Sequence, residues 1–145
     1  MNKVHKSVLV PYPIEKMYEL VERVEDYPQF LPWCAGVHIR EQSANQLVAT
    51  LQIAFKGVRQ SFTTRNIHTP PHSMKMYFVE GPFKKLEGTW EFIELDQQAC
   101  KIEFNLEYGF SNIVLEKLIG PMFNMIANTF IDGFVQRAEE LYGHH

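Results

Sequence analysis

The groups in this chain able to exchange protons, attack a carbonyl or hold a metal are present, but their spacing organises none of these reactions. His5, His38, His68 and His72 fall in unrelated stretches, and His68 and His72 flank a pair of prolines, as surface residues do. Glu80 and Glu94 lie near expected strand ends, but nothing local brings the two carboxylates together for general acid–base work. Cys34 and Cys100 show no metal-ligand or redox spacing, so free cytosolic thiols are expected. Cys34 stands beside Trp33, within reach of a ligand, although an inert buried thiol is the commoner use. There is no nucleophile motif, phosphate loop or metal-binding helix. An enzyme is not expected, and neither is a cofactor. His144 and His145, native or left from a purification tag, are excluded from any site.

The remaining chemistry is the burial of an apolar guest. Aromatics make up 13% of the chain, with eleven Phe and six Tyr, enough to line a pocket as well as fill a core. Trp33, Phe55, Phe62, Met76, Phe78, Trp90, Phe104, Met122, Ile126 and Phe130 are expected to form an apolar wall. Gln60, Thr64, Asn66 and Tyr108 would serve as polar handles, the combination typical of a binding pocket. A dry void of roughly 300 Å³ at ~24 cal/mol per Å³ costs about 7 kcal/mol, which rivals the net stability of a domain. Such a space must be packed shut, wet or occupied.

Two kinds of periodicity position these residues. Leu115, Ile119, Met122, Ile126, Phe130, Phe134 and Leu141 recur at helical steps and predict one long apolar helix over Ser111 to Tyr142, with Ser111 as N-cap. Ile113, Phe123, Met125 and Ile131 widen its oily surface, so it needs a concave apolar bed. Glu116, Lys117, Asn124, Asn128 and Asp132 interrupt any run long enough to span a membrane. Gly120-Pro121 predicts a kink or break, either static or the hinge of a movable mouth formed by residues 112–119 and the turn from Tyr27 to Cys34.

Upstream, Val4, Val8 and Val10 suggest a first strand. Ile14, Met17, Tyr18, Val21 and Val24 suggest an amphipathic helix opened by Pro13, and Glu25 to Gly36 a short helix or turn. From residue 37 the period changes to two. A Lys56-Gly57 turn would set Phe55 opposite Val58 and Leu51 opposite Phe62, pointing Gln60, Phe62, Thr64 and Asn66 inward and Arg59, Thr63 and Arg65 outward. Further strands run through Met74–Phe78, Leu86–Phe92 and Cys100–Tyr108. Residues 1–145 therefore read as one α+β domain: a curved antiparallel sheet of about six to seven strands wrapped around the C-terminal helix, a helix-grip.

The net charge of −3 gives no global argument for nucleic acid, and DNA is not expected as a partner. Lys56, Arg59, Arg65, Lys84, Lys85 and Lys101 are expected on the outer sheet face, where they would neutralise the phosphates of a docked nucleic acid; Glu87, Glu91, Glu103 and Glu107 interleave with them. The N-terminal residues lack an export signal. A cytoplasmic protein is expected, with at most transient contact with a membrane surface.

YPQFLPWC (Tyr27 to Cys34), FTTRN (Phe62 to Asn66) and GPFKKLEGTWEF (Gly81 to Phe92) occur in this order. Together they resemble the coenzyme Q-binding START-domain family, of the polyketide cyclase and lipid transport kind, which includes RatA-type ribosome-association toxins. The resemblance runs from about Val4 to Tyr142. It implies a helix-grip fold and a hydrophobic ligand, ubiquinone or a related isoprenoid, held in support of respiration. For RatA-like members it implies instead binding to the large ribosomal subunit, blocking subunit joining and translation.

Overall fold

The period-two stretches fold as seven strands in a single sheet. The computed structural model describes residues 1–143; His144 and His145 lie outside the described residues. The strands are β1 (Asn2–Val10), β2 (Cys34–Gln42), β3 (Gln46–Phe55), β4 (Val58–Thr69), β5 (Ser73–Glu80), β6 (Phe83–Asp96) and β7 (Ala99–Phe110). Their order is β1-β7-β6-β5-β4-β3-β2, every neighbouring pair antiparallel. β2 to β7 form a meander, and β1 closes on its last strand. Bulges in β2, β5 and β6 bend the sheet.

Alternation sorts the side chains. Leu47, Ala49, Leu51 and Ile53 of β3, Leu86, Trp90 and Phe92 of β6, and Cys100, Ile102, Phe104, Leu106 and Tyr108 of β7 are buried on one face. The hairpin has the expected register, Phe55 opposite Val58 and Leu51 opposite Phe62. Lys56 (φ 49°) and Gly57 (φ 82°) both adopt the left-handed conformation, which matches a two-residue turn to the twist of its strands. Thr63 faces outward but is nonetheless buried: its hydroxyl bonds that of Thr50, 2.6 Å away, beside the Arg40–Glu80 ion pair.

α1 (Ile14–Glu22) follows Pro13 and buries Ile14, Met17, Tyr18, Leu20 and Val21. The proline-rich stretch after it forms a short 3₁₀ helix, Val24–Gln29, before β2 begins. α2 (Ile113–Tyr142) covers the oily face of the sheet. Three expectations for α2 change. Asn112 caps it, its side chain accepting from the Leu115 N–H at 2.9 Å, while the Ser111 hydroxyl donates to the Pro82 carbonyl. The helix runs through Gly120-Pro121 without the break that was one of the two expected outcomes. The buried line also runs through Phe123, Ala127, Ile131 and Ala138 in addition to Ile119, Ile126 and Phe134, with Leu115, Met122 and Phe130 on its flank and Leu141 exposed. By length and composition alone α2 passes as a membrane span; here that buried face packs against the sheet.

Candidate functional site

The inner sheet face and α2 do not close completely. Between them lies a cavity of about 60 Å³. Trp33 at the end of the proline-rich stretch, Phe62 and Thr64 on β4, Met76 on β5, Phe104 on β7, and Ile126 and Phe130 on α2 all line it, as the sequence suggested. Asn66 completes its polar side. Val24, Tyr27, Leu51, Leu86, Leu106, Phe123 and Ala127 also line it and were not among the expected residues. Leu51, Leu86 and Leu106 were legible as inward members of their strands. Phe123 and Ala127 were missed because the helical stripe was drawn to one side of its true centre.

Six expected residues stand outside the wall. Phe55 and Gln60 lie toward the hairpin tip, and Phe78 packs on Phe83 with ring centres 6.0 Å apart. Met122 sits half-buried on the flank of α2. Trp90 is locked behind the wall, its ring 4.7 Å from Phe104, 5.3 Å from Phe134 and 5.6 Å from Phe130. Tyr108 stacks edge-on against Phe123 at 4.8 Å and donates its hydroxyl to Asn124 Oδ1, so that handle is already used.

The cavity is electrically neutral. No Asp, Glu, Lys, Arg or His is among the described residues of its wall. The Tyr27 hydroxyl donates to the Val21 carbonyl, and burial holds its phenol well above the usual pKa. The Thr64 hydroxyl donates to Asn66 Oδ1 at 3.0 Å, which fixes the carboxamide and leaves its NH₂ as the donor for a guest. Burial pushes the Cys34 thiol up to about 11, so it is a neutral, unreactive neighbour of Trp33.

Size decides how the space is used. At about 10–15 Å³ per water, it holds at most about four to six waters; left dry, it costs about 1.4 kcal/mol. The space is thus far smaller than a ligand-sized void of roughly 300 Å³ and close to packed shut. A guest larger than this must push side chains aside, and Phe62, Met76 and Phe130 are the half-buried members of the wall. Gly88 makes this easier: a Cβ there would come within 2.4 Å of Met76 Cε, so the bare backbone lets the thioether fold down over the strand.

Elsewhere, burial lowers the pKa of His68, partly opposed by Glu22, whose carboxylate lies 3.6 Å from Nδ1; its Nε2 has no partner among the described residues. On the outer sheet face a furrow of about 490 Å³ runs between Lys3, Lys75, Glu87 and Glu107, open to solvent and lined by both signs of charge. Lys85 is bonded to Glu107 at 3.0 Å and Lys101 to Glu103 at 3.1 Å. Arg65 is exposed in mid-sheet, while Lys56, Arg59 and Lys84 are exposed toward one end. The basic residues of this face are thus not a single patch.

A curved antiparallel sheet gripping one long helix around a small neutral cavity defines a helix-grip domain of the ligand-binding kind. The chain belongs to the family described as polyketide cyclase / dehydrase and lipid transport, whose model matches residues 10–135. It is 43% identical to the ribosome association toxin RatA of Escherichia coli (strain K12) over 142 residues, 98% of this chain and 90% of that one. It is 28% identical to the mitochondrial coenzyme Q-binding protein COQ10 of Dictyostelium discoideum, covering 91% of this chain and 66% of that one. The Zhui aromatase/cyclase from Streptomyces sp. R1128 superposes with a TM-score of 0.80 at 18% identity, covering 95% of this chain and 93% of that one, a likeness of fold.

Proposed function

We propose that the chain binds a neutral hydrophobic small molecule between the sheet and α2, with ubiquinone or a related isoprenoid the leading candidate, and carries or chaperones it in support of respiration. The observation that carries this reading is the cavity whose wall is apolar except for Thr64, Asn66 and the Tyr27 hydroxyl already bonded to Val21. A charged ligand would meet no counter-charge there, whereas a quinone carbonyl would accept from the Asn66 amide. Burial of the isoprenoid tail supplies the driving force as Phe62, Met76 and Phe130 move outward. The COQ10 relative binds coenzyme Q by its name. Trp33, Leu51, Phe104, Phe123, Ile126 and Ala127 form the fixed part of the wall. Phe55, Gln60, Phe78, Trp90, Tyr108 and Met122 act at most behind it or at its margin. The reading is one of binding rather than catalysis, because among the described residues no titratable group with a free proton-accepting atom lines the cavity.

A second reading is favoured by the likeness to the protein named ribosome association toxin RatA. In it, Lys56, Arg59, Arg65, Lys84 and Lys85 meet rRNA phosphates of the large ribosomal subunit, and the bound chain blocks subunit joining and so inhibits translation. A cytoplasmic setting suits both readings.

Extraction of the purified protein with organic solvent, followed by mass spectrometry, tests the first. A co-purifying isoprenoid quinone is expected, and the stripped protein should rebind it saturably. Absence of both in a folded preparation defeats the carrier reading. Sedimentation with large subunits that weakens steeply as salt rises then favours the second.

A further inference from the structure

α2 is apolar on two faces. Val114, Leu118, Pro121 and Met125 recur at intervals of four, three and four, so they form one line along the helix. That line lies opposite the one through Ile119, Phe123 and Ile126, which is buried on the sheet. Val114 is 61% exposed, Leu118 66% and Met125 40%, and Ile113 extends the ridge at 61%. Beyond Met125 the same outer line carries Asn128, Asp132, Gln136 and Glu139. The solvent face of the helix therefore changes from oil to charge about halfway along. Contiguous exposed apolar side chains of this kind mark an interaction surface.

The topology places the ridge. α2 starts immediately beyond β7, and the Ser111 hydroxyl is bonded to Pro82 in the β5–β6 turn at 3.2 Å. The ridge therefore sits at the end of the sheet that also carries the β3–β4 hairpin tip. Lys56, Arg59, Lys84 and Lys117 are exposed here, and none has a carboxylate partner among the described residues. The acids at this end are Glu116 in the first turns of α2 and Glu80 at the end of β5, the latter paired with Arg40. The opposite end, formed by α1, the β6–β7 turn and the last turns of α2, carries Glu15, Glu19, Glu22, Asp96, Glu139 and Glu140 against Lys16, Arg23 and Arg137. Charge is thus separated along the molecule, with the oily end basic and the far end acidic.

We propose that this end docks on an anionic lipid bilayer, with Val114, Leu118 and Met125 entering the interface and Lys56, Lys84 and Lys117 reaching the headgroup phosphates. A nucleic acid would use the lysines and leave the ridge in water. A second copy of this chain would bring like charges together. A bilayer takes both features at once, apolar depth beneath a negative surface, while the acidic far end is repelled and sets the orientation. None of the three inserting residues lines the cavity, so the docking surface stands independently of the ligand reading. In the docked pose Phe62 and Phe123 bring the nearer cavity wall toward the lipid.

Vesicle sedimentation tests the proposal with the full chain. Binding is expected to phosphatidylcholine vesicles containing phosphatidylglycerol, and only weakly to phosphatidylcholine alone. Leu118→Gln/Met125→Gln and Lys84→Gln/Lys117→Gln should each weaken binding by about tenfold. These positions are exposed, so circular dichroism and thermal midpoints should stay as in the parent chain, and Asn128→Ala should bind as the parent does. Failure to bind anionic vesicles overturns the proposal. So does undiminished binding by Leu118→Gln/Met125→Gln, which would leave the basic end as a plain polyanion site. A concentration-dependent dimer in light scattering that Leu118→Gln abolishes would assign the ridge to a second copy and overturn it equally.

Discussion

Trp90→Ala is expected to lower the unfolding free energy by about 3–5 kcal/mol, a large part of the roughly 5–15 kcal/mol that holds a domain together. The indole is 1% exposed and lies where β6, β7 and α2 meet, within ring-to-ring distance of Phe92, Phe104, Phe130 and Phe134. Those partners hang from separate elements and cannot collapse together into the space an indole leaves. Urea denaturation measures the effect as a drop in midpoint at unchanged slope. A loss below about 1 kcal/mol would mean that this aromatic cluster does not organise the core. The same geometry makes Trp90 a poor probe of ligand binding, because a variant this unstable loses its guest by unfolding.

Ala127→Leu probes the cavity itself. Ala127 is 2% exposed, faces the space from α2, and adds no polar group when enlarged. Filling a cavity of about 60 Å³ recovers contacts that partly offset the strain of overpacking, so stability should stay within about 1 kcal/mol of the parent. Affinity for an isoprenoid quinone should fall at least about a hundredfold, equivalent to about 2.7 kcal/mol, because the new side chain occupies the volume from which the guest must start. Titration of stripped protein with quinone reads this directly. Parent-like affinity in a folded Ala127→Leu chain would place the ligand, if there is one, elsewhere. Ribosome association should be untouched, since position 127 is not on the surface.

Much of the architecture was legible before any coordinates. The alternation through Leu47–Phe55 and Cys100–Tyr108 named the buried faces of β3 and β7. Lys56-Gly57 set a register that every later pair on β4 inherits. The greasy C-terminal helix announced that it covers something. What was misjudged lies where two local answers were equally good. Ser111 and Asn112 are both competent caps, and the extended backbone of Asn112, with Ser111 drawn to Pro82, chose between them. α2 carries two apolar lines, and the line through Phe123 and Ala127, not one drawn through Met122 and Leu141, became the centre of the buried face.

The sequence by itself determined the meander, the hairpin register and the helix that roofs it, because periodicity and turn chemistry are properties of a few consecutive residues. Only the tertiary structure decided which side of α2 turned inward, that Trp90 and Tyr108 stand behind the wall, and that the hollow measures about 60 Å³. A cavity is the small remainder left when side chains from the 3₁₀ helix, five strands and α2 fail to meet. No stretch of chain carries that remainder, so it appears only once all of them are in place.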